Sequence, residues 1–375
     1  MTSTADLISG YTDEPGYFDF AKWGPISRPV VEEERALVDV QSRARFGSEV
    51  ALTEQAGRVQ RAVSALIGFP ADQVVFQPNT SAGLVHAMFG LTGQVLLSPR
   101  DYPSLPLAAT RASAALRVLE PLWMDLDHDV VTPAVVQRHL TDRVTAVAVS
   151  LVDYRTGYLV DLEGIRQVIG DRLLIVDAIQ GFGVVDAPYG VADVVASGGQ
   201  KWVRAGWGTG FLALSERAAT MLTPVFSGVA GSELTLGGSY HQALPALPGA
   251  AAFQITNPDP IAQARLSTAL EGIASAGIAD VSREIAHRAS RLIDIADEYA
   301  VPVVSPRDEA ERAGIVVLEP APDQMTTLTA ALWNHGVTAT VRDTTVRLSA
   351  HLSTGDDSFE LLRGALTSFG TTVYY

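Results

Sequence analysis

Lys201 closes a stretch whose residue types and order suit one kind of chemistry. The apolar run Leu173-Leu-Ile-Val ends in Asp177, and Gln180 follows shortly after. A second apolar run, Asp193-Val-Val-Ala, leads through Ser197-Gly-Gly-Gln into Lys201 and Trp202. A carboxylate at the end of a strand stands where open α/β sheets bind ligands. Small residues ahead of the lysine let the backbone approach a ligand closely. A lysine in such a pocket loses basicity and becomes a usable nucleophile and base. An acid for a pyridine nitrogen, a polar group near a ring hydroxyl and an amine that holds an aldehyde as a Schiff base are the parts that pyridoxal 5′-phosphate (PLP) needs. Taken singly, Asp177 also reads as a cap, Gln180 as a turn residue and Lys201 as a surface lysine.

A phosphate site is expected further upstream. Asn79-Thr-Ser-Ala-Gly follows the apolar run Val74-Val-Phe-Gln and opens a helix at about Ser81. Free N–H groups, the positive end of the helix and the hydroxyls of Thr80 and Ser81 all favour an anion there. A plain Ser/Thr helix cap is the alternative.

Val176-Asp-Ala-Ile-Gln, followed by Ser197-Gly-Gly-Gln-Lys-Trp, resembles the active-site stretch of the aminotransferase class V family. This family belongs to the fold-type I PLP enzymes and includes cysteine desulfurases, kynureninases and isopenicillin N epimerase. The resemblance runs from Asn79 to Arg347-Leu-Ser-Ala-His351. It implies that Lys201 and Asp177 are catalytic, that Gln180 lies near the cofactor's O3′ and that Thr80 and Ser81 hold its phosphate. Gln200 stands where many members carry a phosphate-binding His, so only a possible phosphate contact carries over; Ser197 is a second, weaker one. Tyr102, in Asp101-Tyr-Pro-Ser, matches an aromatic that stacks on the ring. Asp153, in Ser150-Leu-Val-Asp-Tyr-Arg-Thr-Gly, matches a polar side chain over the ring, and Arg155 either meets substrate or lies in a solvated loop. Arg347 matches the arginine that grips the substrate α-carboxylate, a task suited to a two-pronged guanidinium. Trp23 and Gly24, in Phe18-Asp-Phe-Ala-Lys-Trp-Gly-Pro, match a segment that lines the substrate mouth. Thr256, in Phe253-Gln-Ile-Thr-Asn, matches a residue that touches the PLP phosphate of the other subunit, which implies a homodimer with active sites at the interface; its alternative is a helix cap.

The elements that must position these residues form an α/β pattern. Candidate strands are Val74-Val-Phe-Gln, Val95-Leu-Leu-Ser, Leu116-Arg-Val-Leu, Thr145-Ala-Val-Ala-Val-Ser, Leu173-Leu-Ile-Val, Asp193-Val-Val-Ala and Thr209-Gly-Phe-Leu-Ala-Leu. They are short and apolar on both faces, as in a mostly parallel sheet sandwiched by helices. Thr53 is expected to cap a helix with the stripe Val59, Val63, Leu66 and Ile67, and Thr132 to cap one that starts at Pro133. Beyond Pro245–Pro260 the pattern changes to long helices with the strands Gly314-Ile-Val-Val-Leu and Thr345-Val-Arg-Leu, a smaller α+β lobe. The family resemblance implies that residues before about 45 pack with this lobe, so the expected organisation is a large PLP-binding domain over residues 45–255 and a small domain from 1–44 and 256–375, the fold-type I architecture.

Composition narrows the function. The chain has 375 residues, 47% hydrophobic and 18% charged, enough for a sizeable core. Net charge is −15, which argues against nucleic acid as partner. No stretch is long and apolar enough for a membrane span, and Met1-Thr-Ser-Thr-Ala-Asp has no basic and then apolar leader pattern, so a cytoplasmic enzyme is expected. There is no cysteine, hence no disulfide and no thiol to carry a persulfide. The His residues lack metal spacing. Gly206-Trp-Gly-Thr-Gly enters a strand where a dinucleotide loop would open a helix, and no nucleophile elbow with its triad is visible. The expected partner is a small-molecule amino-acid substrate, with β-elimination leading, transamination almost level and epimerisation behind. A non-catalytic PLP-fold protein is the alternative from a different class, and the joint presence of Asp177, Gln180, Lys201 and Arg347 speaks against it.

Overall fold

A computed structural model describes residues 3–43, 45–126, 130–233 and 244–373. The described residues form the strands β1 (Val74–Phe76), β2 (Gly93–Leu97), β3 (Leu119–Trp123), β4 (Val144–Ser150), β5 (Leu173–Asp177), β6 (Val194–Gly198), β7 (Gly210–Leu214), β8 (Ile315–Leu318), β9 (Thr340–Val341) and β10 (Val346–Ser349). The helices are α1 (Thr4–Ser9), α2 (Arg28–Ser42), α3 (Glu49–Thr53), α4 (Gln55–Ile67), α5 (Thr80–Gly90), α6 (Ser104–Leu116), α7 (Pro133–His139), α8 (Leu162–Ile169), α9 (Glu216–Met221), α10 (Pro260–Ala276), α11 (Ile278–Glu298), α12 (Met325–Asn334) and α13 (Asp356–Val373).

Seven strands make one sheet in the order β1-β7-β6-β5-β4-β2-β3. Strands β2 to β6 run parallel, while β7 is antiparallel to β6 and to β1. Side chains alternate across a strand, so β4 feeds two cores. Val147 and Val149 join the layer built with α4, α8 and α10, and Ala146 and Ala148 join the layer under α5 and α6. Two covered faces explain why the strands read as continuous apolar runs.

The second sheet is antiparallel, in the order β8-β10-β9. Leu292, Leu328, Leu332, Phe359 and Leu362 from α11, α12 and α13 fill its core. The N-terminal segment reaches this sheet, since Tyr17 and Asp19 form single bridges to Thr338 and Ser349. Helix α2 lies on α10. No helix among the described residues is long and apolar enough to cross a membrane.

Local capping worked at Thr132, whose side chain accepts from the Val135 N–H. Two expectations shift. Thr53 ends α3 and donates its hydroxyl to the Val50 carbonyl, and α4 starts at Gln55 after Glu54. Leu116 ends α6, because Arg117 turns into the left-handed region (φ 59°), and strand β3 begins only at Leu119. An apolar run that straddles a helix end cannot be split by hydropathy alone.

Candidate active site

The parallel strands deliver their C-terminal ends to one edge. Ser150 and Asp177 are neighbours across β4 and β5, and Asp177 and Ala196 across β5 and β6. Asp177 is buried and accepts the Ile179 N–H at 3.1 Å. Burial pushes its carboxyl up to about 6, which the Ile179 N–H and then Lys201 oppose. Lys201 follows the turn after β6. Burial brings its amine down to about 8; Asp177 opposes this, Arg347 adds to it, and Asp19 opposes it. The Nζ atom stands 5.2 Å from the centroid of the Tyr102 ring. Thus Lys201 lies beside Tyr102 and close enough to Asp177 and Arg347 to feel their charges.

The phosphate end is built at the start of α5. Asn79 caps the helix by accepting the Ala82 N–H at 2.9 Å. The next residue, Thr80, is buried, and its Oγ1 has no hydrogen-bond partner. A Cβ on Gly198 would lie 3.1 Å from that oxygen and would strike Gln200 Oε1. A side chain at this position would crowd the Thr80 hydroxyl and make the Gln200 amide move aside. A buried hydroxyl without a partner is costly unless a ligand completes it. Ser81 is exposed and shares a 2.7 Å hydrogen bond with Ser104. Ser197 is fully buried, with its Oγ turned to the Gly198 carbonyl at 3.3 Å.

Gln180 is buried and engaged at both ends of its amide. Its Nε2 donates to the Ala21 carbonyl at 2.9 Å and its Oε1 accepts the Trp202 indole N–H at 2.9 Å. Asp153 and Arg155 face each other: Nη2 of Arg155 meets Oδ2 of Asp153 at 2.7 Å, and the Arg155 N–H donates to Oδ1 at 2.7 Å. Between them in sequence, Tyr154 meets Tyr102 edge-on at 5.3 Å.

Arg347 is buried on β10. Its Nη1 donates to the Tyr154 carbonyl at 3.2 Å, and its Nη2 donates to Thr340 Oγ1 at 3.1 Å and lies 3.6 Å from Asp19. Its Nε is buried without a partner. Burial holds the guanidinium below its usual basicity, Arg342 adds to this and Asp19 counters it. Gly24 donates its N–H to the Gln200 carbonyl at 2.9 Å, and a Cβ there would strike the Lys201 carbonyl. Trp23 is exposed beside Tyr17, with the rings 6.5 Å apart. Thr256 is exposed and accepts the Ala230 N–H at 3.4 Å, and no contact among the described residues joins it to the Lys201 pocket.

Sequence reasoning did not single out Asp19 or Asp101. Asp101 precedes Tyr102 and is pushed up to about 7, by burial first; Ser150 opposes the shift, and Asp177 and Asp153 add to it. Asp19 interrupts the apolar run Phe18-Asp-Phe-Ala, and a charge inside such a run was the available signal.

The aminotransferase class-V model matches residues 33–339. The chain belongs to that family. Its members are PLP-dependent enzymes. A kynureninase from Deinococcus radiodurans is 27% identical over 274 residues, 69% of this chain and 64% of that protein. The chain therefore matches just under two thirds of that relative's length. Among solved structures, the apo cysteine desulfurase from Thermococcus onnurineus NA1 superposes with a TM-score of 0.86 at 20% identity, covering 99% of both chains. The cystine C-S lyase C-DES with its product cysteine persulfide gives 0.83 at 17% identity, covering 94% of this chain and 97% of that one. A C-DES variant with glycine covalently linked to PLP gives 0.84 at 17%, covering 94% and 96%. These likenesses establish the fold-type I architecture.

The residues present fit PLP. Thr80 offers a partnerless buried hydroxyl at a helix start, with Gly198 leaving the cradle open. Asp177 offers a buried carboxylate and Lys201 an amine of lowered basicity.

Proposed function

We propose that this enzyme acts on an α-amino acid, holding its carboxylate at Arg347 and taking its Cα proton with Lys201, and that the bond then broken lies at Cβ. The observation that carries this reading is the buried, partnerless Nε of Arg347, whose guanidinium is close enough to Lys201 to act on its amine. PLP, when bound, supplies an aldehyde for amines and a ring that draws electrons from the substrate Cα. Lys201 would hold that aldehyde, and its amine would take the substrate Cα proton. With its amine near 8, a useful share is neutral at neutral pH, and only the neutral form accepts a proton. Asp177, near 6, is mostly ionised at the same pH and stands ready to keep the ring nitrogen protonated. Tyr102 supplies a flat wall, and Thr80 with Gln200 supplies hydroxyl and amide donors for the phosphate.

β-Elimination is favoured because similar structures include a C-S lyase and a route through a protein-bound persulfide has no cysteine to use. Transamination with a 2-oxo acid is the second reading, supported by the family's own name. Incubating holoenzyme with amino acids, with and without 2-oxo acids, separates the two. Ammonia with a 2-oxo acid product marks elimination, a new amino acid marks transamination, and neither product from any amino acid contradicts the proposal. A homodimer in which Thr256 reaches the phosphate site of the other protomer completes the reading; Thr256 is exposed on the loop before α10, as such a contact requires. Light scattering of the holoenzyme tests it, and a monomer would contradict it.

A further inference from the structure

Arg347 is held on one side and open on another. Its Nη2 donates to Thr340 Oγ1 at 3.1 Å, and the Thr340 hydroxyl donates on to Asp19 Oδ1 at 2.6 Å. The Asp19 carboxylate lies 3.6 Å from the same Nη2, with only 3% of Asp19 and 4% of Arg347 exposed. A guanidinium buried this far from water needs a nearby anion to stay charged and in place, and Asp19 is that anion. Its Nε keeps a donor with no acceptor.

Asp19 belongs to a short strap that also touches the Lys201 loop. Its backbone bridges to Ser349, two residues beyond Arg347 on β10. Ala21 donates its N–H to Ser349 Oγ at 2.9 Å, and Gly24 donates to the Gln200 carbonyl at 2.9 Å, next to Lys201. Residues 19–24 thus span from the arginine to the turn that carries the lysine. Asp19 and Arg347 are both near enough to act on the lysine amine, in opposite senses.

We propose that Asp19 is a positioning residue for Arg347: through Thr340 it fixes the guanidinium so that Nε is presented to the substrate carboxylate, and the strap 19–24 sets the span from that carboxylate to Lys201. This rests on the reading of Arg347 as the carboxylate site. It makes Asp19 a determinant of substrate class, favouring amino acids with a free α-carboxylate over simple amines.

The test is a titration of PLP-loaded protein with L-alanine and with ethylamine, followed by the absorbance of the cofactor. Wild type is compared with Asp19→Asn and Thr340→Val. Asp19→Asn is expected to raise the half-saturating L-alanine concentration about tenfold or more, the factor that loss of one charge-assisted contact produces. Ethylamine, which has no carboxylate, should change by less than about twofold by the same reasoning. Thr340→Val should move L-alanine in the same direction, and it decides the matter alone if Asp19→Asn does not fold. Unchanged preference for L-alanine over ethylamine in the variants, with a clear preference in wild type, overturns the role of Asp19. No preference in wild type overturns the reading of Arg347 itself and the positioning role with it.

Discussion

The indole N–H of Trp202 donates to Gln180 Oε1 at 2.9 Å, and both side chains are buried. The residue after Lys201 is thereby fastened to the turn that follows Asp177. The same amide donates through Nε2 to the Ala21 carbonyl, so one side chain ties together β5, the lysine turn and the N-terminal strap. An amide Nε2 carries two N–H groups, and one remains for the ring oxygen that the family resemblance implies.

Gln180→Leu should therefore weaken the fold as well as the site. It strands a buried indole N–H and a buried carbonyl. Each unsatisfied group costs about 1–3 kcal/mol. Urea denaturation of the cofactor-free protein should show a loss in at least that range, and an unchanged midpoint would remove the latch from the account.

Asp101 makes stability depend on pH in a defined direction. Its folded value of about 7 stands above the ordinary 3.8. The folded protein then holds a proton that the unfolded chain has given up, so stability is full below the ordinary value and declines as pH rises toward about 7. Asp101→Asn should shrink that decline, to which Asp177 with its value of about 6 also contributes, leaving stability at pH 4 nearly unchanged and gaining on the order of 2–4 kcal/mol at pH 8–9. Thermal melts of the cofactor-free protein across this range check it. Equal pH dependence in variant and wild type would show that Asp101 is not held protonated.

Asp177→Asn should harm turnover more than PLP retention. The proposed phosphate donors at Thr80 and Gln200 and the amine of Lys201 stay in place, while the charge proposed to face the ring nitrogen is lost. The barrier should rise by about 3–5 kcal/mol, as when a buried charge loses its partner. Steady-state kinetics beside the PLP content read both effects, and turnover at the wild-type rate would take Asp177 out of the reaction.

How much of this was legible in the sequence depends on how local each signal is. Asp177 ends an apolar strand, Lys201 follows another by three residues, and Thr80 opens a helix; each is encoded within a few residues. The cap at Thr132 is equally local, while the cap assigned to Thr53 failed because α3 and α4 abut there. Asp19 escaped notice because its partner, Arg347, lies at the other end of the chain, and only the pairing of the N-terminal segment with β10 brings them together. The pairing of Asp153 with Arg155 was also unforeseen; their adjacency in sequence did not show that the turn folds one onto the other.

Arg347→Lys keeps the charge and loses the planar fork. The partnerless Nε disappears with it. KM for the amino acid should rise by the equivalent of about 1.5–3 kcal/mol, with the absorbance of the resting holoenzyme unchanged. A KM equal to that of wild type would move the carboxylate site elsewhere, with Arg155 the next arginine to test.

The central claim is that Lys201 is the residue that anchors PLP. Holoenzyme reduced with borohydride, digested and mapped by mass spectrometry should carry the pyridoxyl group on Lys201, and Lys201→Ala treated in the same way should carry none. A pyridoxyl group on any other lysine of the wild-type protein would contradict the account.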